Sequence, residues 1–254
     1  MAAIISCRTG MFGNVETAFE YFPKADVFHA ECPPAPGGDY PAMAAAAKAQ
    51  GVTIASLSTQ LHLDTDEEAA AFRPVIDGAA EIGVARIFVS AKASSEELFE
   101  EALARLGKLA EYAAAKGVAI CMETHPPFAE NGDKARLVIE RIGSPGLRFN
   151  FDTANIYYYN EGCDSVAELS KVAELVGSVH LKDTDGGYKS PNFPPVGQGM
   201  VDFPAIFAVL DKVGFDGPYT FEIEGAHVSK LDTEGRLQFL KDCVSYLRSV
   251  GVME

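Results

Sequence analysis

Residues 119–152 read AICMETHPPFAENGDKARLVIERIGSPGLRFNFD, and this stretch carries the pattern that decides the fold. Its two apolar runs, Ala119–Glu123 and Leu147–Asp152, have the length and composition of buried strands. The segment between them, Asp133–Ile142, has the composition of a helix. A strand, a helix and a second strand in this order predict two parallel strands joined by a helical crossover.

The same alternation runs along the whole chain. The predicted strands are Ala3–Cys7, Ala25–Glu31, Thr53–Ser58, Arg86–Val89, Ala119–Glu123, Leu147–Asp152, Ser178–Lys182 and Tyr219–Glu224. The predicted helices are Val15–Phe22, Pro41–Gln50, Glu67–Gly83, Ser95–Lys116, Asp133–Ile142, Ser165–Val176, Phe203–Val213 and Thr233–Ser249. Eight of each, in a chain of 254 residues, predict an α/β fold, the (β/α)8 TIM barrel, as a single domain over residues 1–254.

The composition and the net charge limit the kinds of molecule that the protein can bind. Hydrophobic residues make up 48% of the chain and charged residues 22%, which is typical of a globular protein and excludes a disordered one. The formal net charge of −15 opposes binding to nucleic acid or to an anionic membrane surface. No apolar run is long enough to span a membrane, and the five cysteines lack any CxxC spacing. We therefore expect a soluble cytoplasmic protein that acts on a small molecule.

Polar side chains recur where four consecutive predicted strands end. In a barrel, reactive side chains come from the C-terminal ends of the strands. Glu123, Asp152, His180 and Glu222 occupy these positions on the fifth to eighth strands. Neighbouring strands lie about 4.8 Å apart, so these groups can converge on one small site. The alternative, charges facing water on an antiparallel sheet, is disfavoured because helices separate the strands.

Three carboxylates and an imidazole so close together would repel one another unless a cation lay between them. Oxygen-rich ligands with one nitrogen suit a divalent ion such as Mn²⁺, Mg²⁺, Co²⁺ or Zn²⁺. Such an ion stabilises the enediolate that forms when a proton is removed next to a carbonyl, and carboxylates can remove and return that proton. A site of this kind can therefore support proton transfer next to a carbonyl group.

Further polar residues lie beside these candidates. Lys182 either binds a substrate oxygen or pairs with a carboxylate. His125 either contacts substrate or is a hydrogen-bonded loop residue, and His62, after the third predicted strand, presents the same choice. The tyrosines at 157–159 either form a wall for a sugar ring or pack against a helix or a partner subunit, which leaves homo-oligomer formation open. The segment Thr184–Met200, rich in glycine and proline, is predicted to be a functional loop.

Five motifs carry a family resemblance. They are METHPP (Met122–Pro127), FNFDTAN (Phe149–Asn155), VHLKD (Val179–Asp183), VGQGMVDF (Val196–Phe203) and GFDGPYTFEIE (Gly214–Glu224). Together and in this order they resemble the sugar phosphate isomerase/epimerase family, the xylose-isomerase-like TIM barrels.

The resemblance implies one divalent metal held by Glu123, Asp152, His180 and Glu222. It also implies that Glu123 and Glu222 flank the substrate and exchange its proton. Many members have histidine three residues after the aspartate, and Asn155 occupies that substrate-binding position here.

The sequence thus predicts a metal-dependent isomerase or epimerase of a small sugar, ketose or hydroxycarbonyl compound. One alternative is a dehydratase of a keto-cyclitol or keto-sugar, because inosose dehydratases look alike at these motifs. Another is a carbohydrate-binding subunit without turnover. An endonuclease of the same fold is disfavoured by the acidic net charge and by the small number of histidines near strand ends.

Overall fold

Eight parallel strands close into a barrel within residues 3–253, the part of the chain that the computed structural model describes. The strands are β1 (Ile4–Arg8), β2 (His29–Cys32), β3 (Thr53–His62), β4 (Arg86–Lys92), β5 (Ala119–Glu123), β6 (Leu147–Asp152), β7 (Val176–Leu181) and β8 (Pro218–Phe221). Each pairs with the next along the chain, and β8 pairs with β1, where Ser6 lies opposite Thr220. The predicted TIM barrel is confirmed.

Helices between the strands cover the outside of the barrel. They are α1 (Val15–Tyr21), α2 (Tyr40–Ala49), α3 (Asp66–Ala71), α4 (Arg73–Glu81), α5 (Phe99–Ala115), α6 (Gly132–Ile142), α7 (Asn155–Tyr159), α8 (Ser165–Ser170), α9 (Phe203–Lys212), α10 (Ala226–Ser229) and α11 (Thr233–Ser249). No helix among residues 3–253 is both long and apolar enough to cross a membrane. Met1, Ala2 and Glu254, part of the predicted single domain, lie outside the described residues.

Successive side chains of a strand point alternately to an apolar outer layer and to a polar barrel interior. On β6, Phe149 and Phe151 are fully buried among apolar side chains, with their rings 5.8 Å apart. Asn150 and Asp152, the residues in between, are equally buried on the other face. A strand with both faces covered is what a parallel barrel requires. The interior face is where the polar groups gather.

Several predicted boundaries differ from the structure. The second strand begins at His29 rather than Ala25, because Phe22–Ala25 forms a 3-10 turn that Asp26 ends with φ of +58°. The predicted helix Glu67–Gly83 is two helices, and Pro74 lies at the start of the second, where its missing N–H leaves no bond unmade. The eighth strand ends at Phe221, so Glu222 lies just beyond it.

The predicted helix Ser165–Val176 likewise ends early. It is α-helical only to Ser170, and a 3-10 turn at Ala173–Leu175 leads into β7. Its first turn is capped by Asp164, whose side chain accepts from the backbone N–H of Ala167.

Two glycines give a matched test of packing between α5 and the barrel. A Cβ on Gly146 would lie 2.0 Å from the carbonyl oxygen of Ala110 in α5, so we expect Gly146→Ala to destabilise the protein by about 1–3 kcal/mol. A Cβ on Gly107, inside α5, would meet only Ile142 at 3.9 Å. Gly107→Ala should therefore stabilise by about 0.5–1 kcal/mol. Urea unfolding measures both, and equal stability of the two variants would contradict this packing.

Candidate active site

A cavity of about 390 Å³ opens at the C-terminal end of the barrel. Its floor and walls combine carboxylates, two cations, several uncharged polar groups and aromatic rings. The aromatic lining residues are Phe88, Tyr158, Tyr159 and Phe193, and the uncharged polar ones are Thr59, Gln60, Ser90 and Asn155. The charged ones are Arg8, Lys182, Glu123, Glu222 and Glu224. Such a lining can bind a small molecule that carries both hydroxyl groups and an apolar face.

Asp152, at the end of β6, uses one carboxylate oxygen to stabilise the local backbone and directs the other toward the site. Oδ1 accepts from the backbone N–H groups of Ala154 and Asn155, each at 2.9 Å, and so anchors the start of α7. Oδ2 is buried and lies 3.2 Å from Nζ of Lys182. The local sequence Asp-Thr-Ala-Asn therefore fixes the carboxylate and leaves one oxygen facing inward.

His180, on β7, is fully buried and lies opposite Asp152 in the strand register. Its Nε2 donates to Oε1 of Glu31 at 3.1 Å, and its ring stacks on Phe88 with centroids 4.4 Å apart. Its Nδ1 has no hydrogen-bond partner and faces Oε2 of Glu222 at 3.4 Å. Burial lowers the pKa of His180, but the carboxylates of Glu31 and Glu222 outweigh burial and raise that pKa to about 10.

Three ligand atoms converge around Glu222, which lines the cavity. Asp152, His180 and Glu222 each offer one atom, and these atoms lie within 4.8 Å of one another. All three atoms are buried: Nδ1 of His180 has no hydrogen-bond partner, and Oδ2 of Asp152 and Oε2 of Glu222 form ion pairs with Lys182 at 3.2 and 2.6 Å. Two carboxylate oxygens and one imidazole nitrogen fit a divalent metal ion.

Glu123, the fourth predicted ligand, lies outside this group of three. Its Oε1 accepts from Nδ2 of Asn155 at 3.1 Å, and its carboxylate lines the cavity wall. Its part in metal binding stays a prediction. The structure does place Glu123 and Glu222 on the same cavity, as the prediction of two proton-transferring carboxylates requires.

Lys182 and Arg8 supply positive charge to the same carboxylates. Nζ of Lys182 lies 3.2 Å from Oδ2 of Asp152, 2.6 Å from Oε2 of Glu222 and 2.8 Å from Oε1 of Glu224. Of the two interpretations of Lys182 from the sequence, the structure shows pairing with carboxylates. Arg8 forms a close ion pair with Glu222. Both cations of the cavity are thus already paired with acidic groups.

These contacts push the pKa values of the acidic groups in opposite directions. Burial and the charge of Glu222 raise the pKa of Glu123 to about 7. Burial raises that of Asp152 to about 7, although Lys182 opposes it. Burial also acts to raise the pKa of Glu222, but Lys182 and His180 outweigh it, and the pKa lies well below its usual range. Glu222 is therefore ionised at neutral pH, whereas Glu123 titrates there.

The remaining predicted binding residues lie at different distances from the cavity. Asn155 and Lys182 line it. His125 packs edge-on against Tyr159, with ring centroids 5.0 Å apart, and its Nδ1 makes a close contact with the carbonyl oxygen of Pro126. His62, the last residue of β3, is exposed and pairs with Lys92 in the register. Substrate binding by either histidine stays a prediction.

Three residues that contact this site are not among the site residues predicted from the sequence. Glu31 binds His180, Arg8 binds Glu222, and Phe88 covers the face of the imidazole. The first two lie at the C-terminal ends of β2 and β1, where Arg8 is opposite Glu31. Applying the strand-end rule to the first two strands as well as the last four would have found them.

A loop without helix or strand between Leu181 and Phe203 forms one rim of the cavity, as predicted for Thr184–Met200. Phe193, within it, lies over Lys182, with Nζ 4.9 Å from the ring centroid. The loop is held by Asp183, whose carboxylate accepts from four backbone N–H groups at 2.8–3.1 Å. These donors are Thr184, Gly197, Gly199 and Val201.

We expect Asp183→Ala to release this loop. The substitution leaves four backbone donors without their charged acceptor, so it should lower the free energy of unfolding by about 3 kcal/mol and speed proteolysis within the loop. Asp185→Ala is the matched control, because Asp185 binds only groups inside the loop, such as Gly187 and Ser190. Unchanged cleavage of the Asp183 variant would contradict the anchoring role.

Comparison with known proteins places this barrel in a family. The model of the xylose isomerase-like TIM barrel family matches residues 17–243. The ketose 3-epimerase of Arthrobacter globiformis is 30% identical over 124 residues, which are 47% of this chain and 39% of that protein. An inosose dehydratase of Klebsiella pneumoniae is 30% identical over 151 residues, which are 51% of this chain and 49% of that protein. The chain spans less than half the length of these curated relatives.

A solved structure agrees on the fold. The xylose isomerase domain protein of Planctomyces limnophilus superposes with a TM-score of 0.79 at 22% identity, covering 98% of each chain. The family model covers nearly the whole chain. The chain therefore belongs to the xylose isomerase-like TIM barrel family.

Proposed function

We propose that the chain is a metal-dependent sugar isomerase or epimerase that moves a proton next to a carbonyl group. The observation that carries this proposal is the convergence of three buried ligand atoms, from Asp152, His180 and Glu222, beside the cavity that Glu123 and Glu222 line. The substrate class is a small ketose or hydroxycarbonyl compound. The similarity to a ketose 3-epimerase over about half of the chain supports the same reaction type.

A divalent ion would be held by Asp152, His180 and Glu222, with Glu123 as the predicted fourth ligand. When bound, it polarises neighbouring substrate oxygens and stabilises the negative charge that develops on proton removal. Asp152 is suited to this task because its second oxygen is fixed by the start of α7. His180 is held equally firmly by its contacts with Glu31 and Phe88.

Glu123 and Glu222 are proposed to carry the proton. They extend from β5 and just beyond β8, and both line the cavity. One carboxylate removes the proton next to the carbonyl and the other returns it, so that the substrate is isomerised or inverted. Asn155 donates to Glu123 and holds its carboxylate at the cavity wall.

The walls favour an uncharged sugar. Tyr158, Tyr159 and Phe193 offer flat apolar surfaces for the C–H face of a polyol. The two cations of the cavity, Arg8 and Lys182, are paired with carboxylates, so no free positive charge of the cavity awaits a phosphate group. We therefore propose an unphosphorylated substrate.

A dehydratase on the same scaffold is the second candidate. It requires a proton donor for a departing hydroxyl group, and Lys182, whose side chain lines the cavity, is the donor we propose for that step. The similarity to an inosose dehydratase over 51% of the chain favours this alternative as well. A keto-cyclitol or keto-sugar would be its substrate, and water and an unsaturated ketone its products.

Metal binding is tested with an isosteric variant. We expect the purified protein to bind one divalent ion from among Mn²⁺, Mg²⁺, Co²⁺ and Zn²⁺, and an ion at about 100 times its Kd to stabilise the fold by about 2.7 kcal/mol. Asp152→Asn keeps an oxygen for the bonds to Ala154 and Asn155 but replaces the free oxygen, so it should abolish the stabilisation. Asp211→Asn, at an exposed position of α9, is the control. Calorimetric titration and thermal melts measure both, and full binding by the Asp152 variant would refute this site.

Proton transfer is tested by deuterium incorporation. Metal-loaded protein is incubated in D₂O with free and phosphorylated ketoses and with cyclitol ketones, and NMR follows the C–H signals next to the carbonyl. We expect exchange with free ketoses, reduced about 10²–10⁴-fold in Glu123→Gln and in Glu222→Gln. Glu111→Gln, at the exposed surface of α5, should match the wild type.

The products separate the candidates. Isomerised or epimerised sugar supports the first proposal, and an unsaturated ketone supports the dehydratase. Metal binding without exchange on any compound would indicate a carbohydrate-binding subunit. Preference for phosphorylated ketoses would overturn the proposed substrate class.

A further inference from the structure

Glu31 is a buried carboxylate that neither the proton-transfer chemistry nor the ligand set uses. It lies on β2 inside the barrel and is 0% exposed. Burying a charged group is costly unless it is paired and hydrogen-bonded. Its Oε2 accepts from Oγ of Ser56 at 2.9 Å, and Oε1 accepts from Nε2 of His180 at 3.1 Å. Nε of Arg8 lies 3.8 Å away.

These contacts determine which edge of the imidazole faces the cavity. The ring of His180 lies on Phe88 with an angle of 24° between the planes, which fixes the plane of the ring. Glu31 holds Nε2 on one edge, so the other edge, with Nδ1, points to Asp152 and Glu222. Turning the ring over would break the bond to Glu31 and remove the nitrogen from the group of ligand atoms.

We propose that Glu31 is the positioning residue of the metal site: by accepting the Nε2 proton of His180, it presents Nδ1 to the ion. The inference rests on the proposed function, because it assumes that an ion binds Asp152, His180 and Glu222. A metal takes the lone pair of one ring nitrogen, so the N–H must be on the other. Outer partners of this kind typically contribute 10–100-fold to metal affinity.

Three substitutions separate the hydrogen bond from the charge. Glu31→Leu removes both, Glu31→Gln keeps the length and an acceptor oxygen without the charge, and Glu31→Asp keeps the charge on a side chain one methylene too short to reach Nε2. If Glu31 positions the ring, the Kd for Zn²⁺ should rise about 10–100-fold in the Leu and Asp variants and less in the Gln variant. If only its charge mattered, the Asp variant would bind as the wild type does and the Gln variant would resemble Leu.

Two serines on β3 provide a matched control. Ser56→Ala removes the hydroxyl that donates to Glu31, so it should weaken Zn²⁺ binding by less than Glu31→Leu. Ser58→Ala removes a buried hydroxyl that has no hydrogen-bond partner, and it should leave the Kd unchanged. Thermal melts of the metal-free variants identify any substitution that simply unfolds the barrel.

Spectroscopy gives a readout that loss of packing alone would not alter. In zinc-loaded wild type labelled with ¹⁵N-histidine, we expect a slowly exchanging Nε2–H signal from a metal-bound histidine, absent in Glu31→Leu. The visible absorption of the Co²⁺ form should change in the same variants that lose affinity. Calorimetry supplies the Kd values.

The outcomes are separable. A wild type that binds no divalent ion refutes the metal site of the proposed function. Normal ion binding by the wild type, with Glu31→Leu and Glu31→Asp both folded and unchanged in Kd, refutes the positioning role alone. The expected order of affinity, wild type above Gln and Gln above Leu and Asp, supports it.

Discussion

The structure depends on keeping several buried carboxylates together inside one barrel. Glu31, Asp152 and Glu222 are at most 4% exposed, and Glu123 lies beside them. Charges removed from water and placed within a few ångströms of like charges are strongly destabilised unless cations lie between them. The chain meets this constraint with His180, Lys182 and Arg8, and each of these contacts at least two of the carboxylates.

The same constraint explains why the neighbouring segments are fixed so firmly. Asp152 uses one oxygen to anchor α7 and the other for the site, so the helix and the carboxylate hold each other in place. Asp183, directly after Lys182, anchors the loop that carries Phe193 over the ammonium group. The strands thus form the floor of the cavity. The loop forms its rim and is anchored by Asp183. A preorganised floor under a separately anchored rim is the arrangement that acid–base chemistry on a small substrate needs.

The fold was predictable from the sequence because each strand and helix of the barrel has a local pattern of its own, an apolar run or a helical periodicity. The bounds of β5, β6 and α11 agree with the structure, since each is a clear apolar or periodic run between polar residues. Errors arose where a turn conformation decided the boundary, as at the 3-10 turn before β2. The part of the site formed by polar residues at the C-terminal ends of the strands was predictable, because these ends lie together at one end of a barrel. Pairing of Lys182 with a carboxylate was one of its two predicted roles, but its particular partners were not predictable, because a long side chain can reach several carboxylates and only the packed structure selects among them.

Lys182 shows how the two interpretations of one residue can be reconciled. Its ammonium group contacts Oδ2 of Asp152 and Oε2 of Glu222, which belong to the two carboxylates that would bind an ion. An ion and an ammonium group cannot both contact these oxygens closely, because their charges repel. Glu224, half exposed and 2.8 Å from Nζ, is the remaining partner toward the cavity. Under the proposed function, an ion at these oxygens would displace the ammonium group toward Glu224. Pairing of Lys182 with carboxylates is what the structure shows, and its binding of a substrate oxygen stays a prediction.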